Sequence, residues 1–130
     1  AIHSDLQECM QTLVGIIRTE DELRKALEEI AVLRQRLGRV KVEGGRVFNP
    51  GWHLALDLHS MLSVSEAVTL GALERKESRG GHTRDDYPFT DDRLGTVNVV
   101  IRRSAGSLGV AIEPIPPLPP ELKALLGEKK

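Results

Sequence analysis

Leu6, Met10, Leu13 and Ile17 recur at spacings of four, three and four, which sets them on one stripe of a helix with Ser4 as its N-cap. Thr19-Glu20-Asp21-Glu22 then reads as a capping box: the threonine oxygen bonds the Glu22 N–H while that carboxylate reaches back. A second helix follows, its core stripe Leu23, Leu27, Ile30 and Leu37 widened by Ala26 and Leu33. Arg24, Lys25, Glu28, Glu29, Arg34 and Arg36 fall mostly on its solvated side. Gly38 and Gly44-Gly45 break the period, and Asn49-Pro50 restarts it with a capping side chain and a proline at the first helical position.

The third helix is the longest. Leu54, Leu58, Met61, Val68 and Ala72 form one stripe, and Ala55, Leu56, Leu62, Val64 and Leu70 spread beyond it. Two shorter helices cover such a surface only in part, so the remainder is expected to face something else, such as another domain. Leu58, Met61 and Leu62 are expected in the core, and this helix is expected to be the best-buried element.

After Pro88 the period changes to two. Val97, Val99 and Ile101 alternate with Asn98 and Arg102, and Val110 and Ile112 with Ala111 and Glu113, which predicts a hairpin around Ser104-Ala105-Gly106-Ser107. Two strands alone are marginal in water, so the hairpin must lean on the helices or on a neighbour. Pro114 to Pro120 reads as an extended polyproline-like segment, and Glu121 to Leu126 as a final helical turn or two. The expected fold is mainly α: an antiparallel, spectrin-repeat-like three-helix bundle with a small C-terminal β-hairpin and an extended proline-rich tail. Residues 1–88 hold the bundle and a charged loop; residues 89–130 hold the hairpin and the proline-rich extension of the same domain.

Composition narrows the function. A chain of 130 residues fits one domain and is short for an enzyme that must also house a dinucleotide. The formal net charge of -1, from 18 basic and 19 acidic residues, gives no pull towards nucleic acid or anionic lipid. The single cysteine, Cys9, allows neither an internal disulfide nor a multi-cysteine metal site and agrees with a reducing compartment. No apolar run approaches the ~20 residues that cross a bilayer, and the N-terminus lacks the order of a signal peptide. Ala1 opens directly into a helix without methionine, as a fragment of a larger protein would.

The stretch Lys76-Glu77-Ser78-Arg79-Gly80-Gly81-His82-Thr83-Arg84-Asp85-Asp86-Tyr87-Pro88 packs charge, glycine and histidine directly behind the long helix. It resembles the signature in the C-terminal helical domain of succinate dehydrogenase and fumarate reductase flavoprotein subunits; L-aspartate oxidase carries a similar one. Leu6-Gln7-Glu8-Cys9-Met10 and Asn49-Pro50 also match the start of that domain and of its long helix, so the resemblance covers nearly the whole chain. Asp91-Asp92 and the proline-rich end look more like the dehydrogenase and reductase than the oxidase. The chain departs from the family at Gly81, where alanine is frequent, and lacks a tryptophan after the acidic pair.

The resemblance implies a parent that interconverts succinate and fumarate with FAD and exchanges electrons with an iron–sulfur subunit. That places it in the cytoplasm, peripheral on the inner face of the cytoplasmic membrane through partner subunits. The partners so implied are the flavin-binding domain of the same subunit and the iron–sulfur subunit, with no nucleic acid and no direct membrane insertion. This chain has no Gly-x-Gly-x-x-Gly between strand and helix, and Gly44-Gly45 lies between helices. No catalytic, cofactor-binding or metal residue is therefore carried over, and the chain alone is expected neither to bind FAD nor to turn over either dicarboxylate.

Three readings of the loop stand side by side: a clamp docking on another domain, an edge of the active site, or a solvated loop. For the clamp, Glu77, Ser78, Arg79, Gly80, His82, Arg84 and Asp85 are the candidate interdomain docking residues. Arg79 and Arg84 can make bidentate bonds to carboxylates or carbonyls, with Glu77 and Asp85 as local partners. Gly80 and Gly81 permit a turn and close approach, and His82 serves as a hydrogen-bond bridge or a titrating group. Elsewhere the chemistry is sparse. His53 and His59, six apart, do not form a helical metal pair; Cys9 reads as a small buried apolar residue and Trp52 as a packing anchor. One Arg-Gly-Gly copy and one PxxP pattern at Pro116 to Pro119 are weak signals for RNA or an SH3-like groove. A free-standing helical interaction module is the rival from a different class.

Overall fold

The computed structural model describes residues 1–42, 44, 45 and 47–127. Its elements run α1 (Ile2–Leu13), β1 (Ile17–Arg18), α2 (Glu20–Leu37), α3 (Pro50–Glu74), β2 (Thr83–Arg84), a 3-10 turn (Leu94–Thr96), β3 (Val97–Ser104), β4 (Ser107–Pro114) and α4 (Pro120–Gly127). The fold is mainly helical with a small antiparallel sheet. The α2 helix packs against both α1 and α3, while α1 and α3 barely touch.

Local chemistry explains most of the boundaries. Helix α1 begins at Ile2 with Ala1 as N-cap, so Ser4 lies within the first turn and does not cap it. Ile17 falls outside α1 in the connector and is exposed. Thr19 caps α2 by accepting from Glu22 N at 3.4 Å, but its hydroxyl also donates to the Glu22 carboxylate at 3.0 Å, so the return half of the capping box ends on the hydroxyl instead of the backbone. Asn49 Oδ1 accepts from Gly51 N at 3.1 Å, with Pro50 at the first helical position of α3. The hairpin turns at Ala105 and Gly106, whose φ values of 50° and 83° are the left-handed pair a two-residue turn requires.

The core combines Ile2, Leu6, Cys9, Leu13 and Val14 with Leu23, Ala26, Ile30, Leu33 and Leu37, and with Leu58, Leu62 and Ala72. Leu27 of the expected α2 stripe is only half-buried. The buried face of α3 is Leu58, Leu62, Ser65, Thr69 and Ala72. Leu54 and Val68 of the expected stripe are exposed, Met61 is half-buried, and α3 is not the best-buried element. A reading by side-chain polarity misplaces this face because Ser65 and Thr69 sit inside: the Thr69 hydroxyl donates to Ser65 O at 2.8 Å and so hides its polarity within the helix. The β3–β4 hairpin lies against α3. No residue of α4 is buried.

Candidate functional site

A helix that ends at Glu74 leaves backbone carbonyls without helical partners. Arg84, fully buried, supplies them: its Nη1 donates to Ala72 O at 2.9 Å and to Leu73 O at 3.1 Å. The rest of the guanidinium grips Asp86 bidentately, Nε to Oδ1 and Nη2 to Oδ2, both at 2.7 Å. Asp86 Oδ2 in turn accepts from Glu20 N at 2.9 Å, at the first residue of α2. A cation therefore faces the negative end of α3 and an anion the positive end of α2, the sign each helix dipole favours. The Tyr87 ring lies 5.0 Å from the Arg84 guanidinium carbon.

The bonds from Arg84 hold the Asp86 carboxyl well below the ordinary range, at about 2, with the Glu20 N–H adding to the effect and burial opposing it. The sign follows directly: the ionised form is favoured in the folded chain, so this stabilisation is present above the ordinary value of 3.8 and lost as pH falls towards about 2. An acid titration of the denaturation midpoint should show this loss, and Asp86→Asn should remove that part of the slope.

Glu77 is also fully buried. It accepts from Arg75 Nη1, from Arg79 Nε at 3.0 Å and, through its second oxygen, from Asp91 N at 2.8 Å. Burial alone would raise its pKa; the bonds from Arg79, Asp91 N and Arg75 outweigh that and keep the carboxyl below its ordinary value. Arg75 extends the network to the hairpin, donating to Leu94 O and Val97 O, each at 3.0 Å. Ser78 stitches the loop to itself: its hydroxyl accepts from Arg84 N at 2.9 Å and lies 2.9 Å from Tyr87 O.

His82 joins two elements that are far apart in the chain. Its Nδ1 lies 2.9 Å from Arg18 Nη1 and its Nε2 2.9 Å from Arg75 O. A guanidinium only donates, so Nδ1 accepts and Nε2 carries the proton that it gives to the carbonyl. The ring sits on a tight turn in which Arg79 and His82 exchange backbone bonds and Gly80 takes φ +59°. Beside it, β1 and β2 pair in parallel, Ile17 with Thr83 and Arg18 with Arg84, and Asp85 N donates to Arg18 O at 2.9 Å.

Of the expected docking residues, Glu77 and Arg84 are thus buried with partners in their own chain. Ser78 and His82 are half-buried, and Arg79, Gly80 and Asp85 lie at the surface. The partner of Arg84 is Asp86, which also reaches Glu20 N, and not Asp85, whose backbone N–H holds Arg18 O. Arg18, Arg75, Asp86 and Asp91 join the network without a mark in the apolar pattern. Arg75 had a usable signal as a cation at a helix C-terminus, and Asp86 and Asp91 stood in charged stretches that the sequence already marked. Cys9 is buried and its thiol is pushed up to about 11, by burial first and then by Glu29, which agrees with a packing role. Chemically the loop is a fastening, in which guanidiniums and carboxylates neutralise one another and close two helix ends.

The apolar surface of α3 is left partly uncovered: Leu54, Val64 and Val68 are 41%, 62% and 44% exposed. Among the described residues, no helix is long and apolar enough to cross a membrane, and no group of three metal-ligating side chains occurs.

Residues 3–119 match the family model described as fumarate reductase flavoprotein C-term. The chain is 36% identical over 116 residues to the fumarate reductase flavoprotein subunit of Mycobacterium tuberculosis, covering 88% of this chain and 20% of the relative. It is 35% identical over 92 residues to the succinate dehydrogenase flavoprotein subunit of Coxiella burnetii, covering 70% of this chain and 16% of the relative. A chain in the structure of the Mycobacterium smegmatis Sdh1 complex in the apo form superposes with a TM-score of 0.87 at 49% identity, over 93% of this chain and 21% of that one. The chain thus spans about a fifth or less of the length of these relatives. On this match of sequence and fold, the chain belongs to the C-terminal domain family of the succinate dehydrogenase and fumarate reductase flavoprotein subunits.

Proposed function

We propose that this chain is the structural and docking domain at the C-terminal end of an FAD-dependent flavoprotein subunit that interconverts succinate and fumarate and exchanges electrons with an iron–sulfur subunit. In this reading α1, α2 and α3 act as one antiparallel bundle, and residues 1–88 and 89–130, proline-rich extension included, work as a single domain. Its partner is the flavin-binding domain of the same subunit. The complex is peripheral on the inner face of the cytoplasmic membrane through its other subunits. The flavin belongs to the partner domain: Gly44 and Gly45 lie between α2 and α3, and the loop's guanidiniums are occupied by carboxylates and carbonyls of their own chain.

The observation that carries the reading is the exposed strip Leu54, Val64 and Val68 on the same helix that ends in the charged loop. Burying apolar area is worth roughly 25 cal/mol per Å², so a second surface that covers this strip gains what the bundle leaves unused. Within the loop, buried Glu77 and Arg84 fix the frame, with Ser78 and His82 half-buried behind the rim. Arg79, Gly80 and Asp85 form the rim that meets the partner.

The test is Val64→Glu with Val68→Glu. In this chain alone the pair should leave the melting temperature nearly unchanged, because both sites are already solvated, and added FAD should not be retained by either version. In the full-length subunit the same pair should lower flavin retention on gel filtration together with dicarboxylate-dependent dye reduction. Full retention and activity there would sink the docking role.

A further inference from the structure

We propose that His82 is an acid-operated latch: a proton taken up at Nδ1 removes the acceptor that Arg18 uses, sets cation against cation, and releases the Gly15 to Arg18 connector from the loop. The inference concerns the chain's own fastening and holds whether or not the domain docks on a flavin domain.

The geometry supports it at both ring nitrogens. Arg18 faces Nδ1 from β1 at 2.9 Å, and the Arg75 carbonyl takes the proton of Nε2 at 2.9 Å. With Nε2 already donating, Nδ1 is the one site left for a second proton. The charged groups that act on the ring, Arg18, Arg84 and Arg75, are all cations. The carboxylates of the network are committed elsewhere, Glu77 to Arg75 and Arg79, and Asp86 to Arg84. Among the described residues, the charged groups that act on the ring include no anion for an imidazolium to meet. Arg18 keeps its bond from Nε to Gly15 O at 2.6 Å, but that bond stays within the connector and does not cross to the loop.

The contacts that cross are few: the ring bond, the pairing of Ile17 with Thr83 and Arg18 with Arg84, and the Asp85 N–H on Arg18 O. Two-residue strands are weak without side-chain support, so loss of the ring bond transmits to the backbone pair. Burial first, and then the cations, push the His82 pKa below its ordinary 6.5, against the raising effect of the Arg75 carbonyl bond. A depressed histidine binds its proton more readily when the latch is open. The stabilisation is therefore complete above the ordinary value of 6.5 and declines as pH falls through it towards the lowered folded value.

The deciding measurement is an NMR titration of the unsubstituted chain between about pH 8 and pH 5, a window around the ordinary histidine value. It follows the His82 ring nitrogens and the exchange of the Asp85 amide against that of Asp91, whose N–H is held by Glu77. At high pH the ring should be the Nε2–H tautomer, and its midpoint should lie below ~6.5. Protection of the Asp85 amide should fall with the ring's titration, by about tenfold for each unit of depression, while Asp91 keeps its protection. Arg18→Met should move the midpoint up. A midpoint at or above the ordinary value, or Asp85 protection that stays constant while the ring titrates, overturns the latch. Both readouts use the unsubstituted chain, so the outcome does not depend on any variant folding.

Discussion

Arg84→Ala is expected to cost this chain about 3 kcal/mol, towards the lower end of the range for breaking a buried charged pair. The lower end applies because the abandoned Asp86 is 28% exposed and regains some hydration. Three sets of partners are lost together: the carbonyls of Ala72 and Leu73, the Asp86 carboxylate and the Tyr87 ring. Asp86 would still cap α2, but without the cation that orients it. Against the ~5–15 kcal/mol that holds a typical domain, such a loss should lower Tm by on the order of 10 °C. Arg84→Lys should recover little, since an ammonium cannot span the two carboxylate oxygens and both carbonyls at once. Asp85→Ala, one position on, should stay within about 0.5 kcal/mol. A Tm for Arg84→Ala within about 2 °C of the unsubstituted chain would mean that the fastening is dispensable to the fold.

Leu62→Ala is expected to have the second large effect. Leu62 is wholly buried where α3 meets the rest of the core, so its truncation removes packed methyl groups and leaves a cavity, at ~2–5 kcal/mol. Leu58→Ala belongs to the same face and should fall in the same range. Val64, two residues on, is 62% exposed. Val64→Ala should change the unfolding free energy of this chain by no more than ~0.5 kcal/mol. Urea denaturation of the three variants separates the core face from the exposed face of one helix. Equal losses at Leu62 and Val64 would show that the inward face of α3 is not the one assigned here.

Much of the fold was legible in the chain because it depends on neighbours three or four residues apart. The Thr19 and Asn49 caps, the stripe Leu23, Ile30 and Leu37, and the hairpin turn at Ala105-Gly106 all follow from local spacing and backbone preference. The inward face of α3 was not legible, because Ser65 and Thr69 count as polar by composition. A helix interior accepts a hydroxyl that bonds the carbonyl four residues back. The return half of the capping box was legible as a carboxylate reaching back, but not that it would meet the Thr19 hydroxyl, which side-chain rotation presents.

The charged loop divides along the same line. The sequence by itself determined that a dense, glycine-flexed signature follows the long helix, and the family resemblance that came with it. It offered arginines, carboxylates, a serine and a histidine there as candidate docking residues beside two other readings of the loop. Only the tertiary structure decided which of them turn inward. Arg84 is buried because the C-terminus of α3 and the N-terminus of α2 meet beside it, and Asp86 outcompetes Asp85 because it alone reaches both the guanidinium and Glu20 N. Arg18 enters from 64 positions away, through a connector that shows no pattern of its own. Such pairings are set by where helix ends come to rest against one another, which depends on the summed packing of the core, and no local spacing along the chain encodes that position.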